Sequence, residues 1–441
     1  MSKKVKQPSL KSIEKDCNTI ELDKRNRILI VSSPYPSALL ASAILSRTMM
    51  RLDRRFHITF IEPVVRIDDI NELKQKYDSS ALILVGLDLL GATRIKKGSG
   101  YPIIIGGKSE SEQTESLRLG TDFTLTAAAF ALSKSVTEQT DYDLQLAVAG
   151  ALLNIDIDKP TKDANTDIFG LAKSKSLVEE RKGFRLLGVS MLPLDEVFFY
   201  STNPYLKGIS GNQKVCDSLL NEAEIPVPKL RTPLNNLSSK EAQQLTSKLI
   251  LNIDPNTLPH LLGTDFEFIK ERESSPIRHL SGIEIMGLTA WTLGELGAFM
   301  SILLGDRGRS LRLVIDSHMN HHKDVISTVQ RLESSTRSES TLDATSLKIN
   351  GVKNELLPDI GRIVLESGIV DKGRPVALEN EDSFIVIWPA RNLSLKEVYQ
   401  KILNNNVELT ATSSQSIRII GSNQEKERGL QIISEMNKKS G

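Results

Sequence analysis

The sequence predicts an α/β protein built on a parallel sheet, and three observations carry that expectation. Short apolar runs recur at Arg27–Val31, His57–Ile61, Ala81–Val85 and Tyr101–Ile105. Helical stretches separate or follow them, at Ala38–Met50, Asp68–Tyr77, Thr124–Ser135 and Tyr142–Leu153. The runs are apolar throughout rather than at alternate positions. That pattern suits strands buried on both faces, the condition of a parallel sheet flanked by helices.

The remaining segments follow in order. Residues 1–25 are lysine-rich and poor in large apolar groups, and are expected to be a flexible basic tail. Residues 26–185 form the sheet domain, and its last part, from about 155, reads as a polar helical connector. A middle region, 186–340, is mixed and partly helical. Within it Ser238-Ser239-Lys240-Glu241 has capping-box spacing and opens an amphipathic helix through Leu251. Ser335–Ser346 is rich in serine and threonine and reads as a boundary loop. Residues 341–441 are expected to be a smaller α+β domain. Strands are predicted at Gly373–Leu378, Ser383–Trp388 and Ser416–Ile420, a capped helix from Ser394-Leu395-Lys396-Glu397, and a final helix over Glu425–Met436.

Composition narrows the function classes. The chain has 441 residues, enough for two or three domains, with 39% hydrophobic and 25% charged residues. A net charge of +1 gives no global pull toward nucleic acid, so any such contact would be local. No apolar run reaches the roughly 18–20 residues of a membrane-spanning helix. The basic start lacks the apolar centre of a signal peptide, and the two cysteines, Cys17 and Cys216, suggest a reducing compartment. The expectation is a cytoplasmic protein with no membrane partner.

Chemistry in a parallel sheet belongs at the carboxyl ends of its strands. Here those ends read Ser32–Ala38 and Gly106-Gly107-Lys108, and Ala151-Leu152-Leu153-Asn154 closes a helix over the same place. Gly106-Gly107-Lys108-Ser109 is not a P-loop, because the position that needs the first glycine is Pro102. No dinucleotide-binding glycine pattern follows the first strand. No Gly-x-Ser-x-Gly elbow occurs, and neither cysteine has a histidine near it in sequence. Asp316–His322 concentrates His318, His321 and His322, with His318 and His322 four residues apart. It is read as a solvated surface segment rather than a metal patch. Arg307, Arg309 and Arg312 are read as a solvated basic loop that could meet phosphate or an acidic partner.

The string Phe199-Tyr200-Ser201-Thr202-Asn203-Pro204-Tyr205-Leu206-Lys207-Gly208-Ile209-Ser210-Gly211 closely resembles a segment of archaeal RecJ-like proteins in the DHH phosphoesterase superfamily. Against that anchor, Tyr35-Pro36-Ser37-Ala38 falls on the family's D-A-D-G motif, and Ala41–Leu45 on the helix after it. Asp88, within Gly86–Gly91, matches the second-motif aspartate. Gly106-Gly107-Lys108 falls on the D-H-H triplet, and Gly150–Asn154 on a G-A-x-G-D pattern. Gly294–Asp306, Gly373–Ala377 and Ile387–Arg391 resemble later family segments. The G-G-H signature of the DHH-associated C-terminal domain is missing between Val407 and Ile420.

The resemblance implies a two-metal hydrolase ancestor, in which carboxylates bridge two divalent ions and a metal-bound water attacks phosphate. In this chain Tyr35, Ser37, Gly106, Gly107, Lys108 and Asn154 stand at ligand positions, and Asp88 is the carboxylate retained. An Asp88–Lys108 ion pair is the expected fate of that retained charge. The residues therefore imply a pseudoenzyme with no catalytic residues, no metal and no cofactor. The arrangement is similar to the inactive RecJ-type subunit of the CMG replicative helicase. It implies a non-catalytic scaffold of archaeal DNA replication, nucleoid-associated, that binds the GINS complex and through it the MCM helicase, with single-stranded DNA as a further partner. The region 186–340 is the expected contact surface. The alternative is a single-strand exonuclease or phosphodiesterase of the RecJ/DHH type working through an atypical site.

Overall fold

The structure is a computed structural model that describes residues 10–17, 27–79, 81–90, 102–106, 117–119, 124–153, 164–335, 339–340, 344–389 and 393–440. The chain divides into two compact units. The first comprises Met1–Glu179, Glu267–Lys270 and Gly294–Leu313; the second comprises Glu180–Phe266, Glu271–Leu293 and Val314–Gly441.

In the first unit the described elements are α1 (Leu10–Cys17), β1 (Ile28–Ser32), α2 (Pro36–Arg51), β2 (Phe56–Phe60), β3 (Val64–Arg66), α3 (Ile67–Lys76), β4 (Ala81–Val85), β5 (Asp88–Leu90), β6 (Ile103–Ile105), β7 (Leu117–Leu119), α4 (Leu125–Lys134), α5 (Asp141–Leu152) and α6 (Ala164–Ser174). The main sheet has five strands in the order β2-β1-β4-β6-β7. Its pairings are all parallel, with Ile28 opposite both Phe56 and Ala81, and Ile103 opposite both Ile83 and Leu117. The apolar runs predict this arrangement because β1 and β4 are buried at every position. One face of the sheet packs Leu29, Val31, Leu82, Leu84 and Ile104 against Ile70 of α3.

Helix ends follow local chemistry. Pro36 opens α2 at a position where a missing N–H costs nothing. Thr140 and Asp143 form a reciprocal capping box on α5. Asp143 is fully buried and also meets Arg47 Nε at 2.7 Å and Arg51 Nη1 at 2.8 Å, tying α5 to α2. Residues 10–17 lie within the expected flexible tail, yet form α1. Leu10 and Cys17 are buried there, and the Leu10 N–H donates to Asp167 on α6. The amphipathic spacing of Leu10 and Cys17 outweighs the lysine-rich composition around them. β3 and β5 make a separate parallel pair, and β7, Leu-Arg-Leu, is too short to stand out in the sequence.

The chain continues through β8 (Val178–Phe184), α7 (Leu194–Phe199), α8 (Gln213–Glu222), α9 (Ser239–Asn252), α10 (Leu258–Leu261), β9 (Leu262–Phe268), α11 (Leu280–Thr292), α12 (Leu296–Leu303) and α13 (Arg309–Ser335). The end of the expected helical connector is therefore a strand, β8, paired with β9. Its five central residues are exposed, which hides it from any apolar-run criterion. The last elements are β10 (Glu339–Ser340), β11 (Thr345–Lys348), α14 (Leu357–Glu366), β12 (Val376–Glu379), β13 (Phe384–Ile387), α15 (Leu395–Leu403), β14 (Glu408–Ser413), β15 (Ser416–Ile420) and α16 (Asn423–Ser440).

The second unit has two cores. One gathers Phe198, Leu206, Ile209, Cys216, Leu245 and Leu249 around α7, α8 and α9. The other packs α14 (Ile360, Ile363, Val364) on Val376, Leu378, Ile385 and Ile387 of a mixed six-stranded sheet ordered β10-β11-β12-β13-β15-β14. The predicted capping boxes Ser238–Glu241 and Ser394–Glu397 both form.

Candidate functional site

In the first unit the strand order reverses between β1 and β4, and a parallel sheet of this order opens its ligand crevice there. The lip is built from Ser32 at the end of β1 and Ser33, Tyr35 and Ser37 after it, from Gly86 and Asp88 after β4, and from Gly106 after β6. Backbone bonds fix it: Ser33 N–H donates to Val85 O at 2.9 Å, Gly86 N–H to Ile105 O at 2.9 Å, and Asp88 N–H to Pro63 O at 2.8 Å. Tyr35 is the N-cap of α2 but makes no side-chain cap. Burial pushes its phenol far above the usual range, and the Asp88 charge pushes the same way. A neutral phenol thus faces a carboxylate.

Gly86 and Gly106 both adopt left-handed backbone, with φ of 65° and 71°. A Cβ at Gly106 would lie 2.1 Å from Leu125 Cδ2; one at Gly86 would lie 2.7 Å from Ser33 Oγ and 3.0 Å from Leu125 Cδ1. Leu125, the first residue of α4, therefore lies over both glycines. The ground above the strand ends is occupied by a methyl-bearing side chain.

A dinuclear centre needs several oxygen or imidazole donors whose charge offsets metal desolvation. The described lip offers a phenol, hydroxyls, glycines and the Asp88 carboxylate, and this donor set does not fit such a centre. Among the described residues no three histidine, cysteine, aspartate or glutamate side chains converge to hold a metal ion. Gly107, Lys108 and Asn154 lie outside the described residues, as does the expected Asp88–Lys108 pair.

A second polar cluster lies inside the second unit, and it corrects the expectation of a solvated segment. His318, His321 and His322 are 2%, 4% and 7% exposed on α13. His318 Nδ1 meets Thr289 Oγ1 at 2.9 Å, His322 Nδ1 meets Thr202 Oγ1 at 2.5 Å, and His321 Nε2 meets Asp359 Oδ2 at 2.8 Å. The rings of His318 and His322 lie 3.7 Å apart. Burial drives both well below the ordinary histidine range, His322 to about 3, so they pack as neutral rings. The three histidines engage three different partners rather than one point in space.

The same cluster holds the Ser201–Gly211 segment. Arg362 Nη2 donates to Thr202 O at 3.0 Å and lies 3.3 Å from Asp359 Oδ1, while its Nη1 meets Glu366 at 2.9 Å. Ser201 Oγ donates to Pro204 O at 2.6 Å, Ser210 Oγ donates to Ser201 O at 2.7 Å, and Gln330 Nε2 reaches Ser210 O at 3.2 Å. The segment is a knot of side-chain to backbone bonds, so its residue identities are set by internal satisfaction. The arginines also differ from expectation. Arg307 donates to Ile302 O at 2.5 Å and to Tyr142 Oη at 2.9 Å within the first unit, whereas Arg309 and Arg312 are exposed on α13.

Together these features define a doubly wound α/β unit with its crevice at a β1/β4 switch point, followed by a unit carrying a mixed C-terminal sheet. No protein-family model matches the chain, and no curated protein matches it. Solved structures do. CDC45 from Entamoeba histolytica superposes with a TM-score of 0.61 at 9% identity, over 97% of this chain and 98% of that one. An exonuclease RecJ bound to manganese gives 0.54 at 11% identity, over 99% and 96%. RecJ from Thermus thermophilus in complex with Mn2+ gives 0.50 at 10% identity, covering 97% of this chain but 55% of that one. The chain has the RecJ-like fold that CDC45 shares. Among the described residues no helix is long and apolar enough to cross a membrane.

Proposed function

We propose that this protein is a non-catalytic, RecJ-like scaffold of the archaeal DNA replication machinery that binds GINS and, through it, the MCM helicase. One observation carries the reading. The fold matches CDC45 over nearly the full length of both chains, while Tyr35, Ser37 and Gly106 stand at the crevice where a metal-dependent relative needs ligands. In this reading Tyr35, Ser37, Asp88, Gly106, Gly107, Lys108 and Asn154 are vestigial active-site positions. The segment 186–340 is the partner surface, between a DHH-like domain (26–185) and a DHH-associated domain (341–441). The protein works at the nucleoid. The test is pull-down and light scattering with GINS. A defined complex at micromolar concentration supports the proposal, and none at any salt concentration rejects it.

A second reading rests on the likeness to the manganese-bound exonuclease and on the retained Asp88. It predicts Mn2+-dependent hydrolysis of a labelled single-stranded oligonucleotide, lost in Asp88→Ala. That result would replace the scaffold proposal with an atypical RecJ/DHH-type nuclease.

A further inference from the structure

We infer that a cleft at the end of α14 binds an extended, uncharged peptide segment of a partner, through one apolar side chain and the main-chain amides beside it. The cleft has a volume of about 540 Å³, within the roughly 300–1,000 Å³ range of ligand sites. It opens between the end of α14, the Pro204-Tyr205 turn, the start of α10 and the β14–β15 turn. All of these belong to the second unit. Its apolar lining comes from Pro204, Tyr205, Leu365, Ile387 and Pro389, each of which the fold buries.

Two properties of the polar lining select the occupant. First, its permanent charges are already shared within the chain. Arg362 Nη1 meets Glu366 Oε2 at 2.9 Å and its Nη2 lies 3.3 Å from Asp359 Oδ1, while Lys372 Nζ lies 3.4 Å from Asp254 Oδ2. His260 is exposed, and burial, with the Glu333 charge, keeps the Tyr205 phenol neutral. A nucleic-acid backbone needs cations free to neutralise its phosphates, and both permanent cations here are engaged. A base needs an open aromatic face, and Tyr205 is 5% exposed. A charged peptide side chain would be desolvated without a partner of its own. Second, neutral polar groups are left over. Ser367 Oγ is buried and has no hydrogen-bond partner. The Gln415 carboxamide and the Thr257 hydroxyl make no bond to any described residue. A buried hydroxyl without a partner is a cost the fold carries until a ligand bonds it. A carboxamide sets an N–H donor beside a C=O acceptor, which matches the C=O and N–H of a peptide main chain. Peptide sites divide the work in this way: main-chain bonds hold the segment, and an apolar pocket selects its side chain.

The cleft and the GINS proposal stand or fall separately, because the probe is a free peptide. The test is NMR of the methyl-labelled full chain titrated with N-acetyl-Ala-Leu-Ala-amide. The Leu365 and Ile387 methyl signals shift with a Kd of about 1 mM, ordinary for a ligand of this size. The acidic N-acetyl-Ala-Glu-Ala-amide and a deoxyadenylate oligonucleotide leave those signals in place. Gln415→Ala weakens binding by about three- to tenfold, the effect of one neutral hydrogen bond. Ser367→Ala weakens it similarly while leaving the Tm unchanged or raised, since it removes an unpartnered group, so that loss is not one of folding. Absence of any shift at these methyls up to about 10 mM peptide overturns the inference. So does equal binding of the acidic peptide, a shift of the same methyls by the oligonucleotide, or unaltered affinity in both variants.

Discussion

Replacing Asp143 by asparagine isolates one ionic contact while keeping the shape of the side chain. In the folded protein the carboxylate is fully buried. It accepts from Arg47 Nε at 2.7 Å, from Thr140 N–H at 2.9 Å and from Thr140 Oγ1 at 2.8 Å, and meets Arg51 Nη1 at 2.8 Å. Burial raises its pKa, but the Arg47 and Thr140 bonds more than offset that and hold it below the usual carboxylate range. Asparagine keeps an acceptor for the capping box and loses the charge that faces both guanidinium groups. Hydrogen bonds to charged groups contribute about 1.5–3 kcal/mol each. The arginine side chains are 21% and 24% exposed, so water recovers part of that and the lower figure applies to each. The expected loss is about 3 kcal/mol, or roughly 6–12 °C in the Tm of a unit of this size.

The folded pKa is depressed, so this stabilisation is present above the unfolded carboxylate value and vanishes as pH falls through the folded one. Urea midpoints of wild type and Asp143→Asn should differ by a constant amount between pH 7 and 5, and converge below about pH 4. A difference under about 0.5 kcal/mol at pH 7 would refute the assignment, because it would equal an ordinary surface substitution. So would a difference that does not shrink in acid.

Three further outcomes follow from the same reasoning. His318 and His322 are neutral in the folded state with pKa values pushed down, so the unfolded chain takes up the extra protons. Stability should therefore fall below about pH 6.5 by about 1.4 kcal/mol per pH unit for each ring, and His318→Gln with His322→Gln should flatten that slope in urea titrations. Gly106→Ala places a side chain on left-handed backbone and into Leu125, costing about 1–3 kcal/mol; adding Leu125→Ala should recover the steric part and leave the backbone part, as a double-mutant cycle in thermal melts will read. Arg362→Met removes the donor to Thr202 O and one partner of Asp359, at a cost of about 3 kcal/mol, and hydrogen exchange should quicken first across residues 201–211.

Much of the first unit is legible in the sequence because its strands are buried on both faces. Ile28–Val31 and Ala81–Val85 advertise themselves by composition alone. The capped helices after Ser238 and Ser394 are legible too, since their caps are local chemistry between residues three apart. Elements stabilised by non-local contacts are not. β8 is charged at its centre, and β7 is three residues long. The helix of residues 10–17 needs Asp167, far along the chain, to satisfy its first N–H. The histidines of α13 mislead for a different reason. Polarity scales count imidazole as hydrophilic, but a neutral ring with a hydroxyl or carboxylate partner is a packing group, and those partners come from α11, α14 and the 202 turn. At the strand ends, the sequence shows which residues follow β1, β4 and β6. It cannot show that Leu125 covers the glycines, because that depends on where α4 begins in space.

The knot at Ser201–Gly211 bears on what that segment can be asked to do. Its serines, threonine and arginine partner spend their bonding capacity on one another and on nearby backbone of the second unit. A stretch of sequence that works as a fastener answers to the folding equilibrium, and its residue identities are accounted for without any ligand. Any chemistry of this chain has to be sought at other positions, those that follow β1, β4 and β6.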